Sequence, residues 1–162
     1  MRFFVKATAA PKPKTAETRQ VAYFYAGILV IILLCQLFTF DDFLLLIESF
    51  WLPGGVPLAH LLGGVIVACE LLALPFLLGM KLSSLMRVIC MICGWLVPFI
   101  WIFLSLWLIL TVNNISNIGI LGTVVDILPG WWAVFIWLAI GILSAWSSWG
   151  MWPLKSRQKL KK

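Results

Sequence analysis

Four long runs of apolar residues dominate this sequence and constrain its fold more than any other feature. A helix needs about 20 apolar residues to cross the hydrocarbon core of a bilayer. The sequence predicts spanning helices at about residues 21–40, 57–80, 86–112 and 131–150. The runs are apolar on all sides, whereas the strands of a membrane barrel alternate in polarity over about ten residues. The predicted fold class is therefore all-α: a polytopic membrane protein with four transmembrane helices in an antiparallel bundle.

The composition agrees with hydrocarbon as the surrounding solvent. Of the 162 residues, 63% are hydrophobic and 11% are charged, whereas a soluble domain is about half apolar and a quarter charged. A net charge of +6 could suit nucleic acid in a soluble protein. Here the basic residues flank apolar runs and no nucleic-acid-binding motif is present. We therefore expect a lipid bilayer and other membrane subunits as partners, and no nucleic acid.

The distribution of charge predicts the orientation in the membrane. All twelve basic residues lie before the first run, between the second and third runs, or after the fourth. With four spans these segments share one face, which the positive-inside rule assigns to the cytoplasm. We expect both termini to be cytoplasmic, in a bacterial inner membrane. The expected organisation is a basic arm at 1–20 with little structure over 10–18, a membrane domain at 21–152 and a basic tail at 153–162. The two loops on the other face carry Asp41, Asp42, Glu48 and Asp126.

Two segments on that other face are apolar but too short to span the membrane. One covers residues 41–56 and ends in Pro53-Gly54-Gly55, and the other covers residues 115–128. We expect both to lie flat as interfacial anchors. The alternative is that they fold back over the bundle, as a lid over a cavity.

Glu70 is the main candidate site residue, because it lies near the middle of the second predicted span. A carboxylate at that depth costs about 3 kcal/mol or more on insertion scales. It needs a partner within the bundle, and residues one turn away on its own helix offer none. The candidates are the Gln36 amide, the Ser105 hydroxyl and a main-chain carbonyl freed by Pro75. Two roles stay open: an acid for proton or quinone chemistry, or a neutral acid that joins two helices.

The other candidate site residues are a single histidine and a pair of cysteines. His60 lies ten residues before Glu70, about 15 Å along a helix, so we expect it to form a separate interfacial hydrogen bond. One histidine does not predict a multi-histidine haem or metal site. Cys90 and Cys93 form a C-x-x-C in apolar surroundings, where packing is the expected role and thiol exchange the alternative. Glu70, His60 and Gln36 are the candidate cofactor-binding residues, with a quinone or bound lipid as the candidate ligand and no metal.

Small residues spaced four apart recur in the second and fourth predicted spans. Such spacing lets helix backbones approach closely in lipid. The pairs could pack within the bundle or against another subunit, so a homo-oligomer stays open. The pairs are Ala59 and Gly63, Gly64 and Ala68, and Gly141 and Ala145.

Residues 57–95 combine a small-residue-rich span, a central Glu70, a turn of glycine and a basic residue, and a further apolar span. Together with a glycine-bearing segment at 117–122, this stretch resembles the DoxX-like family of four-helix membrane proteins, including its MauE branch. The resemblance implies the architecture first and association with a membrane redox complex second. The first span lacks the family's Arg and spaced Gly, and the outer cysteines of MauE are missing, which argues against a disulfide relay. The matching residues are Gly63, Gly64, Glu70, Gly79 and Lys81.

The function that the sequence favours is a non-catalytic membrane subunit or assembly factor of a larger membrane complex, of redox or respiratory type. The sequence shows no nucleophile–base pair, ligand cluster or phosphate loop, so we do not expect an enzyme. The alternative is a DoxX-like quinone-linked or thiol redox protein that uses Glu70. A small transporter is less favoured, because Glu70, Gln36 and a few serines are too few polar groups for a path through one chain.

Overall fold

The computed structural model describes residues 8–9, 11–111 and 115–152, and its regular elements there are all helices. Four of the five described helices are long and apolar enough to cross a membrane. The prediction of an all-α chain with four spanning helices is confirmed. The elements are α1 (Ala16–Phe38), α2 (Phe40–Glu48), α3 (Gly55–Leu77), α4 (Ser84–Thr111) and α5 (Trp131–Met151).

The first spanning helix begins earlier than its apolar run. The Thr15 side chain caps α1 by accepting a hydrogen bond from the Thr18 backbone N–H at 3.3 Å, which satisfies one of the free donors of the first turn. Thr18 is fully buried. The expectation of little structure over residues 10–18 is therefore wrong from Thr15 onward. Residues 1–7, residue 10 and the predicted basic tail at 153–162 lie outside the described residues.

The four spanning helices meet at one glycine. Gly94 of α4 has a backbone carbonyl that accepts hydrogen bonds from the Tyr25 hydroxyl of α1 at 2.6 Å and the Ser144 hydroxyl of α5 at 2.9 Å. A Cβ placed on Gly94 would lie 3.6 Å from the Ala73 Cβ of α3. A residue without a side chain lets the helices approach this closely, so the centre of the antiparallel bundle lies here.

The start of α1 and the end of α5 lie together at one end of the bundle. Gly150 in the last turn of α5 packs against Thr18, and the Lys14 backbone N–H donates to the Gly150 carbonyl at 3.0 Å. Thr8 forms an antiparallel bridge with Leu82, which lies between α3 and α4. We call this end the basic end, because it holds every basic residue that the structure describes: Lys12, Lys14, Arg19, Lys81 and Arg87.

At the opposite end, α2 and the segment 115–130 fold over the bundle. We name this segment the cap loop. Phe43 and Ile47 of α2 and Ile118 of the cap loop are completely buried in the core. Of the two expected arrangements, folding back over the bundle is therefore the one that the structure shows. Burial of their apolar side chains against the helix ends stabilises this arrangement.

The small residues of α3 divide between two faces. A Cβ on Gly63 would come within 2.7 Å of the Leu44 Cδ2 atom, so this glycine allows α2 to pack on α3. Gly64 has no heavy atom within 4 Å of its Cβ position, and Ala68 is exposed. Gly63 therefore packs within the bundle, while Gly64 and Ala68 lie on the surface of α3.

Candidate functional site

Glu70 is completely buried in α3 and lies beside Gln36 of α1. The Gln36 Nε2 atom donates to the Ile120 carbonyl of the cap loop at 3.1 Å and contacts the Glu70 Oε1 atom at 3.5 Å. The second distance is at the long limit of a hydrogen bond, so the carbonyl is the stronger acceptor. Gln36 is confirmed as the predicted partner from another helix. Ser105 forms no hydrogen bond with Glu70 in the described part of the chain, and its hydroxyl donates instead to the Trp101 carbonyl within α4 at 2.6 Å.

Two buried tryptophans stack on each other, and one of them, Trp101, lies beside this carboxyl. Trp101 of α4 and Trp137 of α5 are stacked, with ring centroids 5.5 Å apart and an interplanar angle of 5°. Trp101 lies beside the Glu70 carboxyl, but its indole N–H forms no hydrogen bond with any described residue. Both rings are packed in the core of the bundle. Nothing in the residue pattern connects either ring with Glu70.

Helix geometry explains why Trp101 reaches Glu70. A helical side chain leans toward the N-terminus of its own helix. The contact between Ala73 and Gly94 sets the register of α3 against α4. Trp101 begins two turns beyond Gly94, toward the cap loop. Because the two helices are antiparallel, the Trp101 indole leans toward the basic end and the Glu70 carboxyl leans toward the cap loop. The two side chains therefore converge.

Four buried polar atoms of these side chains have no hydrogen-bond partner in the described part of the chain. Two are oxygens, Gln36 Oε1 and Glu70 Oε2, and two are the indole nitrogens of Trp101 and Trp137. An unsatisfied buried polar group costs about 1–3 kcal/mol, and such groups are rare in native proteins. Matched donors and acceptors of this kind are what a buried water or a small polar ligand binds. We name Gln36, Glu70, Trp101 and Trp137 the carboxyl cluster.

Asn117 organises the cap loop above this cluster. Its Nδ2 atom donates to the Gly122 carbonyl and to Asp126 Oδ1, each at 3.1 Å. Its Oδ1 atom accepts from the backbone N–H groups of Gly119 at 2.8 Å and Ile127 at 3.4 Å. One buried side chain thus joins both arms of the loop, which fixes a backbone without regular secondary structure.

The cap loop contacts α1 through its backbone. The Thr39 hydroxyl accepts a hydrogen bond from the Thr123 N–H at 3.2 Å, and the Ile120 carbonyl accepts from Gln36. Gly119 and Gly122 have positive φ angles of 82° and 60°, which glycine adopts without strain. The glycine spacing of 117–122 was visible in the sequence, but it does not reveal which carbonyl turns toward Gln36.

His60 lies apart from the carboxyl cluster. Its Nε2 atom is 3.6 Å from Glu48 Oε2, and the two side chains are 45% and 38% exposed. The contact has the distance of an ion pair rather than that of the expected interfacial hydrogen bond. A pair this exposed contributes about 0–1 kcal/mol. The three candidate cofactor-binding residues therefore do not form one site.

The cysteines are enclosed in the apolar core. Cys69, Cys90 and Cys93 are buried free thiols, and Cys69 of α3 lies beside Cys93 of α4. Thiol exchange needs an accessible sulfur, so the geometry supports the packing role. Among the described residues no group of three or more His, Cys, Asp or Glu side chains could hold a metal ion.

An apolar groove of about 510 Å³ runs between α1 and α5, below the cap loop. Its walls include Ile32 of α1, Ile120 of the cap loop, and Ile136 and Trp137 of α5. Glu70 does not line this groove. Trp137 lines the groove and stacks on Trp101, so its ring lies between the groove and Trp101.

No protein-family model, curated protein or solved structure matches this chain. Its class therefore follows from the fold and the site alone. It is an integral membrane protein in which four spanning helices and a folded-back loop enclose a carboxyl cluster.

Replacing Gln36 and Glu70 by Leu, singly and together, tests their contact. Gln36→Leu should lower the free energy of unfolding by about 2 kcal/mol, because the Ile120 carbonyl and the carboxyl lose their donor. Glu70→Leu made in that background should cost less than it does alone, with a coupling of about 1 kcal/mol. SDS titration in mixed micelles measures the free energy of unfolding of the wild type, the two single variants and the double variant. Additive losses would contradict a direct interaction between the two side chains.

Proposed function

We propose that this chain is a non-catalytic membrane subunit or assembly factor of a larger membrane complex, of redox or respiratory type. The observation that carries the proposal is the complete burial of Glu70 beside Gln36, whose amide also holds the cap loop. A carboxyl enclosed in this way contacts neither solvent nor lipid. This arrangement suits a group that fixes the packing of helices better than one that exchanges protons with a substrate.

The surface of α3 supports association with a partner helix. Gly64 has open space around its Cβ position, and the exposed Ala68 lies one turn further on. Small residues at this spacing let a second helix approach closely, and van der Waals packing then stabilises the pair. A helix of another subunit is the proposed occupant, and a second copy of this chain is the alternative.

The location follows from the positions of the charges. We propose a bacterial inner membrane with the basic end and both termini in the cytoplasm. Every described basic residue lies at the basic end, whereas Asp41, Asp42, Glu48 and Asp126 lie at the other, as the positive-inside rule requires. Membership of the DoxX-like family is likewise a proposal. It rests on residues 57–95 and on the glycines of the cap loop.

The proposal is tested by isolating the tagged chain from its native membrane in mild detergent. We expect a complex of fixed stoichiometry, larger than the 18.2 kDa of one chain. Glu70→Gln, which keeps a carbonyl acceptor for Gln36, should leave the turnover of each isolated complex unchanged and at most lower its yield. Glu17→Gln, the same change at an exposed acid in the first turn of α1, is the matched control. A monomer without partners would refute the proposal.

A quinone-linked redox protein is the second candidate, and the apolar groove favours it. The groove offers a wall of isoleucines to an isoprenoid tail. The two unpaired indole N–H groups, of Trp101 and Trp137, could donate to quinone carbonyls, but both side chains are completely buried. A quinone ring in the groove therefore does not reach them.

The two candidates give opposite results for the same variant. The redox candidate predicts that Glu70→Gln abolishes quinol-linked activity of native membranes while the amount of protein stays normal. The subunit candidate predicts unchanged turnover per complex. The thiol form of the redox candidate depends on Cys90 and Cys93, which are both buried and offer no accessible sulfur.

A further inference from the structure

A cleft at the basic end combines cationic side chains with apolar walls. Its volume is about 230 Å³. The N-terminal segment forms one side, and the start of α1, the end of α3 and the end of α5 form the others. The lining residues are Pro11, Lys12, Pro13, Arg19, Tyr23, Leu78, Gly79 and Met151.

The N-terminal segment is fixed at both sides of the cleft. Thr8 and Leu82 exchange backbone hydrogen bonds of 3.1 and 3.3 Å, and the Lys14 N–H donates to the Gly150 carbonyl at 3.0 Å. Arg87 adds a hydrogen bond to the Thr8 hydroxyl at 3.2 Å. Two prolines stiffen the stretch at residues 11–13, because the proline ring fixes φ. The wall that carries Lys12 is thus attached to the bundle.

Arg19 is held over the cleft by the residue one turn further along α1. Its Nε atom donates to the Tyr23 hydroxyl at 2.8 Å, and its guanidinium carbon lies 5.3 Å from the Tyr23 ring centroid. A guanidinium has five N–H donors in a planar fork, a shape that matches phosphate oxygens. The contact with Tyr23 uses one donor and leaves four for a ligand in the cleft.

The surroundings of the cleft are strongly cationic. Lys12 lines it and is exposed, and Lys14 lies nearby, with its Nζ atom 4.2 Å from the Trp149 ring centroid. Against the five described basic residues of this end stands one described acid, Glu17 in the first turn of α1. The local field therefore attracts anions.

The apolar side of the cleft points to a lipid rather than a soluble anion. Tyr23 is 42% exposed and Leu78 is 43% exposed, and both line the cleft where it adjoins the spanning helices α1 and α3. Tyrosine is typical of the depth where the headgroups meet the acyl chains. An acyl chain that descends from the cleft would contact both side chains.

We propose that this cleft binds the headgroup phosphate of an anionic glycerophospholipid of the phosphatidylglycerol type. Lys12 and Arg19 contact the phosphodiester oxygens, Tyr23 positions the guanidinium, and Tyr23 and Leu78 contact the upper acyl chain. The site lies at the far end of the bundle from the cap loop. Its test is therefore independent of the role of Glu70.

The test is a binding titration of the delipidated full chain, followed by native mass spectrometry. The probes are phosphatidylglycerol, phosphatidylcholine with matched acyl chains, and inorganic phosphate as the soluble competitor. The wild-type chain should prefer phosphatidylglycerol. Lys12→Gln/Arg19→Gln should lower the affinity for it about tenfold, since each basic group near a lipid surface adds appreciable attraction. Lys14→Gln/Lys81→Gln removes the same charge outside the cleft and should change the affinity less than threefold.

Three outcomes would overturn the proposal. Equal losses in the two double variants would show a diffuse charge effect without a site. Equal affinity for phosphatidylcholine would show that the cleft does not select for the net negative charge of the lipid. Full competition by inorganic phosphate would show an anion site without a role for the acyl chain. If the double variant does not fold, Lys12→Gln alone, at an exposed position, must still weaken binding about threefold.

Discussion

Gly150→Ala should lower the free energy of unfolding by about 3 kcal/mol, one of the two largest losses that we expect from a single methyl group in this chain. A Cβ at Gly150 would overlap Thr18, and the Thr18 Cβ itself would lie only 2.7 Å away. Thr18 is buried, short and β-branched, so it cannot rotate aside. Overpacking of this kind costs about 1–3 kcal/mol or more. SDS titration in mixed micelles measures the loss.

The matched controls for Gly150 lie in the same bundle. Gly27 and Gly64 are helical glycines with no heavy atom within 4 Å of the Cβ position, so Ala at either should be neutral or stabilising by up to about 1 kcal/mol. Thr18→Ala removes the two outermost overlapping atoms and should recover part of the loss in the Gly150→Ala background. Equal behaviour of Gly150→Ala and Gly27→Ala would show that α1 and α5 are not in contact here.

The contact between Thr18 and Gly150 also shows what hydropathy does not predict. The four spans follow from the length of their apolar runs, because the bilayer sets the length of a helix. The start of α1 does not, since residues 16–20 are mostly polar and become helical through the Thr15 cap and the packing of Thr18 on Gly150. The cap depends on the local backbone geometry at Thr15, and the packing depends on a residue near the other end of the sequence.

The carboxyl cluster was predictable in part. A carboxyl in a span needs a polar partner, and the first span has one strongly polar residue, Gln36, so their contact could be expected. Trp101 could not be predicted as a neighbour of Glu70, because its approach to Glu70 depends on the register of α3 against α4. The Ile120 carbonyl could not be assigned either, since the path of the cap loop depends on backbone angles that the residue types permit but do not dictate.

Gly122→Ala should remove the cap loop from this cluster. Gly122 has φ of 60°, and a left-handed alanine costs about 1–2 kcal/mol. Its Cβ would lie 2.5 Å from the Thr39 hydroxyl and 3.1 Å from the Cys35 carbonyl. The carbonyl belongs to the α1 backbone and cannot move aside. The loop must therefore lift, for a total loss of about 3 kcal/mol.

The lifted loop gives this variant a signature that a merely less stable chain would not show. The Thr123 amide, which now bonds to Thr39, should exchange its hydrogen at least tenfold faster in Gly122→Ala, while amides in the middle of α5 keep their protection under native conditions. Gly119→Ala is the matched control. It has the same positive-φ strain, but its Cβ would meet the flexible end of Leu46 at 3.0 Å, so it should cost less and leave Thr123 protected. Unchanged exchange in Gly122→Ala would mean that the cap loop is not seated on α1, and Glu70 would then lose the enclosure on which its structural role depends.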